Sequence, residues 1–420
     1  MRGHLITKMN PDKDIDLFSL GKLYPSDFLK EGELPRCAPI ELKLVMDANG
    51  IVKLANNAPQ EVCWGKYWYR SSTNELMQKQ LANIVDSIMD TYQMPMSENS
   101  IWLDIASNDG YLLSCIPPLD IMRIGIDPAE GNFKDECERH ADIVIQNYFS
   151  AEVFKTHLRD KKATIITAIS MFYDVDNPGK FLSDVYDILD NNGLFVLQLS
   201  YTPLMIKQLA FDNICHEHRR YYSLFNIKKL LENNGFQLLD CQLNETNSGS
   251  FRIYAMKKYA DITKFGSIFY RMIGEHRIKM MLEYEKKIEI DTPKIWRDFY
   301  ENTLTLKEKT LSFIKNEKAK GKIIMGYGAS TKGATLMQFF GLDNTLITAI
   351  ADRSQYKTGL RTVGTNIPII SEDEMRREQP DYLLILPYHF IDTFIKREKE
   401  YLRKGGKFIV PCPKFSIYAE

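Results

Sequence analysis

Apolar and polar residues recur along this chain with a period that switches between helical and extended. From about residue 76 to residue 93, apolar side chains return at helical spacing. Five short apolar runs follow, separated by helical segments: SIWLDIA, RIGIDPA, ADIVIQNYF, ATIITAIS and GLFVLQLSY. The stretch FLSDVYDILDNNG, before the last run, predicts a helix with Gly193 at its C-cap. Such alternation predicts a parallel, doubly wound sheet.

A second series of the same kind begins near residue 321. GKIIMGYGASTKGATLMQFFG predicts a strand, a glycine-containing turn and a helix, and LITAIADRS, DYLLILP and GGKFIVPCP predict further strands. Residues 258–318 are charged and amphipathic, which predicts connecting helices, whereas residues 1–75 look irregular and rich in aromatic side chains. We therefore predict an α/β protein with two Rossmann-like doubly wound domains, 76–257 and 319–420, and a small N-terminal segment.

Composition narrows the class of protein. A chain of 420 residues is too long for one ordinary core, and its 44% hydrophobic and 26% charged residues are typical of globular proteins. The net charge of −1 lacks the basic excess of nucleic-acid-binding proteins. The N-terminal residues lack a signal-peptide core, and the seven cysteines form no CxxC pair. We predict a cytoplasmic monomer or homodimer that binds neither nucleic acid nor a membrane.

The first predicted sheet carries a candidate cofactor site. In LDIASNDGYLL, Asp104 closes a strand and Gly110 precedes a helix, so the turn between them exposes amides that suit a polar ligand. Asp127 closes the next strand, where a carboxylate can accept hydrogen bonds from the ribose hydroxyls of an adenosine. The spacing fits either a dinucleotide or S-adenosylmethionine, although the lack of a clean GxGxxG weakens the dinucleotide. The alternative is an ordinary βα turn with acids at its strand ends.

A second candidate site is the polar stretch FDNICHEHRRYYS. His216, Glu217 and His218 are residue types suited to proton transfer, and two histidines at i and i+2 could also hold a metal. No other His/Cys cluster is apparent in the sequence to complete a metal site, so the metal is the weaker interpretation. A structural polar loop without chemistry remains the third.

Six ordered motifs resemble those of the sugar C-methyltransferase family: LDIASNDGYLL, IGIDPA, FDNICHEHRRYYSL, NSGSFRIYA, GYGASTKGATL and GGKFIVPCP. The similarity extends from FSLGKLYPSDF to PCPKF, which is nearly the whole chain. That family methylates carbon of nucleotide-linked ketosugars in deoxysugar and surface-polysaccharide synthesis. The resemblance implies a methyltransferase domain at 76–257 that uses S-adenosylmethionine, and a C-terminal Rossmann-like substrate domain at 319–420.

The resemblance also implies roles for individual residues. It assigns the cofactor to eight of them: Asp104, Ser107, Asn108, Gly110, Asp127, Gln146, Asn147 and Ser170. It makes His218 the catalytic base, with Glu217 to orient it or to bind a sugar hydroxyl, and it adds Tyr69 and His216 to the catalytic set. The family's Tyr two positions before the Glu is Cys215 here, and Asp174 stands where many relatives have a His.

A further set of residues is assigned to the substrate: Cys215, Asp174, Tyr222, Arg252, Gly326, Gly328, Ser330, Lys332, Asp352 and His389. Two of these assignments leave alternatives open. The GYGASTKG turn suits a diphosphate, and the weaker alternative is a tight turn that only packs. Arg252 either contacts a substrate phosphate or braces its strand. Relatives commonly open with a zinc module of two CxxC pairs, but Met46 and Asn49 replace one pair here, so we expect no zinc and no other metal.

The resulting hypothesis is an S-adenosylmethionine-dependent C-methyltransferase that acts on a nucleotide-linked 4-keto deoxysugar at C3, through an enolate. The substrate is expected between the two Rossmann-like domains. Three alternatives remain. They are an NAD(P)-dependent oxidoreductase that uses the GYGASTKG turn, a non-catalytic binder of nucleotide sugar or S-adenosylmethionine, and a methyltransferase that acts on oxygen or nitrogen.

Overall fold

A computed structural model describes residues 14–65, 69–246 and 249–420, and these fold into two compact units. Within the described residues, the unit that we call the terminal unit comprises 14–57, 211–221 and 289–420. The central unit comprises the remainder, from Ala58 to Ala210 and from Tyr222 to Ile288. Both units are therefore assembled from segments that are discontinuous along the chain.

The secondary structure elements are numbered in chain order. The strands are β1 (Ile15–Leu23), β2 (Phe28–Leu29), β3 (Ile40–Met46), β4 (Val52–Leu54), β5 (Ile101–Ile105), β6 (Met122–Ile126), β7 (Ile143–Ile145), β8 (Ala163–Ile169), β9 (Leu189–Ser200), β10 (Arg220–Tyr221), β11 (Phe236–Asn244), β12 (Ser250–Lys257), β13 (Ile324–Tyr327), β14 (Ile350–Asp352), β15 (Arg361–Thr362), β16 (Ile369–Ser371), β17 (Tyr382–Ile385), β18 (Lys407–Val410) and β19 (Ser416–Tyr418). The α-helices are α1 (Glu75–Asp86), α2 (Tyr111–Ser114), α3 (Phe133–Cys137), α4 (Ala151–Leu158), α5 (Pro178–Ile188), α6 (Thr202–Lys207), α7 (Leu224–Asn233), α8 (Ile268–Lys287), α9 (Pro293–Ala319), α10 (Thr331–Phe340), α11 (Glu372–Glu378), α12 (Ile391–Arg397) and α13 (Lys399–Arg403).

The central unit is built on a seven-stranded sheet with the order β11-β12-β9-β8-β5-β6-β7. Strands β7, β6, β5, β8 and β9 are parallel, and β12 pairs antiparallel with both β9 and β11. Every residue of the interior strand β5 is buried, because helices cover both faces of a parallel sheet. Helix α1 begins after Asn74, whose side chain accepts hydrogen bonds from the amides of Leu76 and Met77.

The terminal unit contains a six-stranded sheet with the order β16-β14-β13-β17-β18-β19, parallel except for β19. A second, antiparallel sheet has the order β1-β3-β4-β10, and β2 pairs with β15. The long helix α9 and the helix α10 both pack against β1. Among the described helices, none combines the length and apolar character needed to cross a membrane.

The α/β class with two Rossmann-like sheets is confirmed, but two local predictions are wrong. Gly193 does not cap a helix, because α5 ends at Ile188 and β9 has already begun at Leu189, which pairs with Ala163. The N-terminal segment, expected to be irregular, forms strands β1 to β4 where it is described. Strand β1 pairs with β3 through two register shifts, and such interruptions obscure the alternation by which strands are recognised.

Candidate functional site

The carboxyl ends of β5, β6 and β8 open into a pocket of about 450 Å³ within the central unit. It has the size of a small-molecule site, at the sheet edge where ligands bind in doubly wound folds. Seven residues singled out in the sequence line it: Tyr69, Asp104, Ser107, Asn108, Asp127, Ser170 and Asp174. The sheet therefore brings most of the predicted cofactor residues together.

The backbone around this pocket adopts unusual conformations. Ala106, Asn108 and Ser170 have φ values of 59°, 51° and 57°, in the left-handed region that side-chain-bearing residues seldom occupy. Gly110, with φ of 78°, ends the same turn, and a Cβ there would lie 2.9 Å from the Cα of Cys137 in α3. Residues held in such conformations cluster at ligand sites, so the turn geometry supports a binding role for the pocket.

Asp127 ties the turn after β5 to the end of β6. Its Oδ2 accepts a hydrogen bond from the amide of Asn108 at 2.8 Å, and its Oδ1 accepts one from the amide of Ala129 at 2.8 Å. Burial raises the pKa of this carboxyl, while the two amide bonds oppose that rise. Each carboxylate oxygen can accept a further bond, so Asp127 can still receive hydroxyl donors from a ligand.

Asp104 is buried near the end of β5. Its Oδ1 accepts a hydrogen bond from Oγ1 of Thr167 at 2.6 Å. Burial raises the pKa of Asp104 to about 7, and the nearby charge of Asp127 adds to the rise. Its charge therefore changes near neutral pH.

Asn108 holds a neighbouring segment over the turn with its side chain. Its Nδ2 donates to the carbonyl oxygen of Tyr69 at 3.1 Å, and its Oδ1 accepts from the amide of Ser71 at 3.0 Å. The next residue, Asp109, accepts from the amide of Ser72 at 2.8 Å. The side chain of Asn108 thus positions Tyr69 at the pocket, a role that sequence reasoning missed because no local pattern links these residues.

Ser170 follows β8, and its amide donates to the carbonyl of Gln198 at 2.7 Å. Its Oγ is buried and has no hydrogen-bond partner within the described part of the chain. Gln146 and Asn147 do not line the pocket, because Gln146 turns back to donate to the carbonyl of Ala129 at 2.8 Å. The two residues after them, Tyr148 and Phe149, line it instead.

The loop that carries the histidines belongs to the terminal unit. Nδ1 of His218 lies 2.8 Å from the carbonyl oxygen of Asn213. Because a carbonyl can only accept, the proton resides on Nδ1 and the lone pair on Nε2. Burial, reinforced by the cationic Lys332, lowers the pKa of His218 to about 3. The imidazole is therefore neutral and carries a basic nitrogen at neutral pH.

The two neighbours of His218 have different surroundings. Burial raises the pKa of Glu217 to about 7, against a hydrogen bond from the thiol of Cys215 and the charge of Arg36. His216 is almost completely buried, and its Nε2 donates to the carbonyl of Leu23 at 3.0 Å. Burial lowers the pKa of His216 to about 4. This hydrogen bond thus joins His216 to Leu23, the last residue of β1.

Lys332, in the first turn of α10, lies in the same unit as this loop. Beside the larger effect of burial, its positive charge favours lower pKa values for Asp212, His218 and His389. Burial lowers the pKa of Lys332 itself, and the charges of Asp212 and Cys215 oppose this lowering. Burial, aided by Lys332, lowers the pKa of His389 well below its usual value. Lys332, which the sequence assigned to a diphosphate, and His389, which it assigned to the substrate, therefore accompany the candidate base.

At the GYGASTKG turn, as at Asp127, an aspartate at a strand end accepts hydrogen bonds from two backbone amides. Oδ2 of Asp352 accepts from the amide of Ala329 at 2.7 Å, and its Oδ1 accepts from the amide of Ser354 at 2.8 Å. Here, however, Nζ of Lys357 lies 3.8 Å from Asp352 and donates to the carbonyl of Ala329 at 2.7 Å. The carboxylate at the second turn is thus already paired with a cation.

Close packing explains the glycines of this turn, and helix capping explains its serine. A Cβ on Gly326 would lie 2.9 Å from Cγ1 of Ile350, and one on Gly328 would lie 2.7 Å from Cγ of Pro387. Ser330 caps α10 by accepting a hydrogen bond from the amide of Gly333. These contacts account for the residue types without a ligand.

Arg252 and Tyr222 are buried in the central unit, and neither lines its pocket. The guanidinium of Arg252 donates to Oε1 of Gln198 at 2.9 Å, to Oδ1 of Asn83 at 3.1 Å and to the carbonyl of Gln80 at 3.4 Å. It braces β12 against β9 and α1, which is the structural alternative raised by the sequence. No group of three or more residues suited to hold a metal occurs among the described residues. The expected absence of zinc stays a prediction.

Two family models match consecutive parts of the chain. Residues 74–240 match the model described as a methyltransferase domain, and residues 245–413 match the model described as the C-methyltransferase C-terminal domain. The C-methyltransferase NovU of Streptomyces niveus is 27% identical over 359 residues, which cover 84% of this chain and 81% of that protein. These matches classify the chain as a methyltransferase.

Solved structures with partial similarity cover less of the chain. A SAM-dependent methyltransferase from Aquifex aeolicus is 16% identical over 43% of this chain and 98% of its own, with a TM-score of 0.29. Magnesium protoporphyrin IX methyltransferase from Synechocystis PCC 6803, solved with bound SAM, is 12% identical over 46% of this chain and 86% of its own, with a TM-score of 0.32.

Proposed function

We propose that this protein methylates carbon of a nucleotide-linked 4-keto deoxysugar. The match to the C-methyltransferase C-terminal domain and the similarity to the C-methyltransferase NovU support this proposal. The methyl donor is S-adenosylmethionine, and the acceptor is C3, beside the ketone. Such a product belongs to deoxysugar or surface-polysaccharide synthesis. The cofactor binds in the central unit, and the base that acts on the sugar is His218 of the terminal unit.

The pocket of the central unit fits this cofactor. Asp127 can accept the ribose hydroxyls, and the buried Oγ of Ser170 offers a polar partner at the carboxyl end of β8, on the other side of β5. Two further carboxylates that line the pocket, Asp174 and Asp176, make its charge negative, which favours a cationic ligand. When bound, S-adenosylmethionine supplies an electrophilic methyl group on a positively charged sulfur.

The observation that carries the proposal is the state of His218. A carbon beside a ketone becomes nucleophilic only after it loses a proton, so the enzyme needs a positioned base. The bond from Nδ1 to the carbonyl of Asn213 fixes the tautomer and orients the ring, so the lone pair that can accept that proton lies on Nε2. The low pKa of His218 keeps this nitrogen unprotonated throughout the neutral range.

Two residues that depart from the family motif, Cys215 and Asp174, bear on which sugar the protein accepts. Cys215 replaces a tyrosine beside the Glu–His pair, and its buried thiol hydrogen-bonds to Glu217. Asp174 lines the cofactor pocket where many relatives have a histidine. We infer that these two exchanges alter which sugar is accepted, while His218 and the cofactor residues preserve the reaction.

The test combines mass spectrometry and deuterium exchange. The purified protein is incubated in deuterated water with S-adenosylmethionine and a panel of nucleotide-linked 4-ketosugars. We expect one sugar to gain the mass of a methylene group and to exchange its C3 hydrogen. His218→Ala should abolish both, whereas the control His157→Ala, at an exposed histidine of α4, should retain both.

Three results would contradict the proposal. Methylation on oxygen or nitrogen without C–H exchange would remove the carbon acid step. Full activity of His218→Ala would remove the base. The absence of S-adenosylmethionine binding in calorimetry would reject the cofactor and favour the oxidoreductase alternative.

A further inference from the structure

A cluster of polar groups surrounds His218 within the terminal unit. Its other members are Asp212, Asn213, Lys332, Tyr388 and His389. Asp212 is completely buried, and Asn213 is 1% exposed. The hydroxyl of Tyr388 donates to Oδ1 of Asp212 at 2.6 Å. Charged and polar groups are rarely buried together in this way unless they bind one another or a ligand.

Several atoms of the cluster lack a partner. Within the part of the chain that the structure describes, four buried atoms make no hydrogen bond: Oδ2 of Asp212, Oδ1 and Nδ2 of Asn213, and Nδ1 of His389. Buried polar atoms in folded proteins almost always have a partner, and unsatisfied ones require an explanation. Both donors and acceptors occur among the four, so a ligand that offers carbonyl and hydroxyl groups would satisfy them.

Lys332 supplies the positive charge of this cluster. The groups that face it are Asp212, Cys215 and His218 from the loop, and His389 from the segment after β17. The carboxyl of Asp212 favours the ammonium form of Lys332, and the bond from Tyr388 fixes the orientation of that carboxyl. Helix α10, which carries Lys332, also packs against the Phe211–Asn213 segment, where the ring of Phe211 stacks on that of Phe340 at 5.1 Å. An ammonium group is thus held beside the loop of the candidate base by groups that do not depend on the substrate.

We propose that the Lys332 ammonium, together with the side-chain amide of Asn213, binds the ketone oxygen of the substrate and stabilises the oxyanion that forms when His218 removes the neighbouring proton. In this step the C–H electron pair becomes the C=C bond of an enolate, and the carbonyl π pair moves to oxygen. The proton moves to Nε2 of His218, so no oxidant or reductant is needed. This inference rests on the proposed function, and it makes Lys332 a catalytic residue and Asp212 a positioning residue.

Two physical features support this assignment. Donors fixed in place before the reaction are most effective at an oxyanion in a site shielded from water, where charge interactions are strong. An oxyanion beside Lys332 also offsets the repulsion between that ammonium and a protonated His218, so proton transfer becomes more favourable as the enolate forms. The same cation that, together with burial, lowers the pKa of His218 beforehand would therefore assist it during the step.

The experiment measures deuterium incorporation at the sugar carbon of the accepted ketosugar, in the full-length protein and without S-adenosylmethionine. Lys332→Gln should lower the exchange rate by about 100-fold or more, the usual effect of losing one oxyanion donor. Lys332→Arg should retain a larger part of the rate, because it keeps the charge. The matched control is Lys307→Gln, since Lys307 is a half-buried lysine that lies 4.4 Å from the ring of Phe339 in α10.

The pH profile separates a catalytic role from a structural one. Burial lowers the pKa of Lys332, so wild-type exchange should decline on the alkaline side at a lower pH than for an exposed lysine. Lys332→Arg should move this decline to higher pH. Asp212→Asn, which can still accept from Tyr388, removes the anion that favours the ammonium, so it should move the decline to lower pH.

Thermal unfolding followed by circular dichroism shows whether each variant retains its folded terminal unit, in which Asp212, Lys307 and Lys332 lie. Unchanged exchange in Lys332→Gln would overturn the inference, as would a rise in KM with kcat unchanged, which would make Lys332 a binding residue only. In both cases, wild-type methyl transfer would leave the proposed function intact. If the wild type neither exchanges nor methylates any ketosugar of the panel, both proposals fail together.

Discussion

Replacement of Asp104 by Asn should flatten the pH dependence of the stability of the central unit. Asp104 is 4% exposed, and Thr167 donates to its Oδ1 at 2.6 Å. Burial raises its pKa from 3.8 to about 7, so the folded chain holds this proton more tightly than the unfolded chain does. The amide of Asn has the same shape, can accept the same hydrogen bond from Thr167, and carries no charge at any pH.

The sign and size follow from linkage. Because the pKa of Asp104 is higher in the folded chain, its protonation stabilises the folded state fully below about pH 3.8, and this stabilisation is lost as the pH rises through about 7. Because one pKa unit corresponds to about 1.4 kcal/mol, the full effect is about 4 kcal/mol at most. Between pH 5 and pH 8 the same relation gives a loss of about 2.5 kcal/mol from this carboxyl. Other carboxyls with raised pKa values remain in both proteins, so the comparison isolates Asp104.

The assay is hydrogen exchange of the β5 amides at several urea concentrations, at pH 5 and pH 8. It reports on the central unit alone, which matters because a chain of two units need not unfold in one step. Wild type and Asp104→Asn should have similar stability at pH 5, and the variant should be the more stable at pH 8. The control Asp160→Asn, at an exposed position, should keep the wild-type slope. Parallel slopes in wild type and Asp104→Asn would refute the reasoning.

Three further changes test the cofactor pocket and its support. In urea denaturation, Gly110→Ala should lower the free energy of unfolding by about 2–4 kcal/mol, because the residue has a positive φ and its Cβ would lie 2.9 Å from the backbone of α3. The control Gly131→Ala also has a positive φ but meets open space, so it should lower the free energy of unfolding by only about 1–2 kcal/mol. Asp127→Asn should weaken S-adenosylmethionine binding by about 10–100-fold in calorimetry, since charge-assisted bonds to the ribose become neutral ones; an unchanged Kd would place the ribose elsewhere. Arg252→Leu should destabilise the central unit by about 2–4 kcal/mol in urea denaturation, because the bonds from the guanidinium to Gln198, Asn83 and Gln80 are lost together; normal stability would show that the brace is dispensable.

Much of the cofactor pocket was predictable from the sequence alone. Short apolar runs identified β5, β6, β8 and β9; Asp127 and Ser170 directly follow β6 and β8, and Asp104 is the penultimate residue of β5. Because the carboxyl ends of parallel strands meet at one edge of a sheet, Asp104, Asp127 and Ser170 had to converge once the fold class was right. Periodicity and the order of strands are local properties, so they can be read before any contact is known.

The details of the site depended on tertiary contacts. Asn108 was expected to bind the cofactor, yet its side chain holds the backbone of Tyr69 and Ser71, residues far away in sequence. Lys332 was assigned to a diphosphate, yet folding places its charge beside His218. Strand periodicity and motif order constrain the backbone, but neither specifies which distant side chains a buried polar group will contact. The sequence by itself determined two Rossmann-like sheets and the edge at which a ligand binds, whereas the tertiary structure alone decided which charges surround the base.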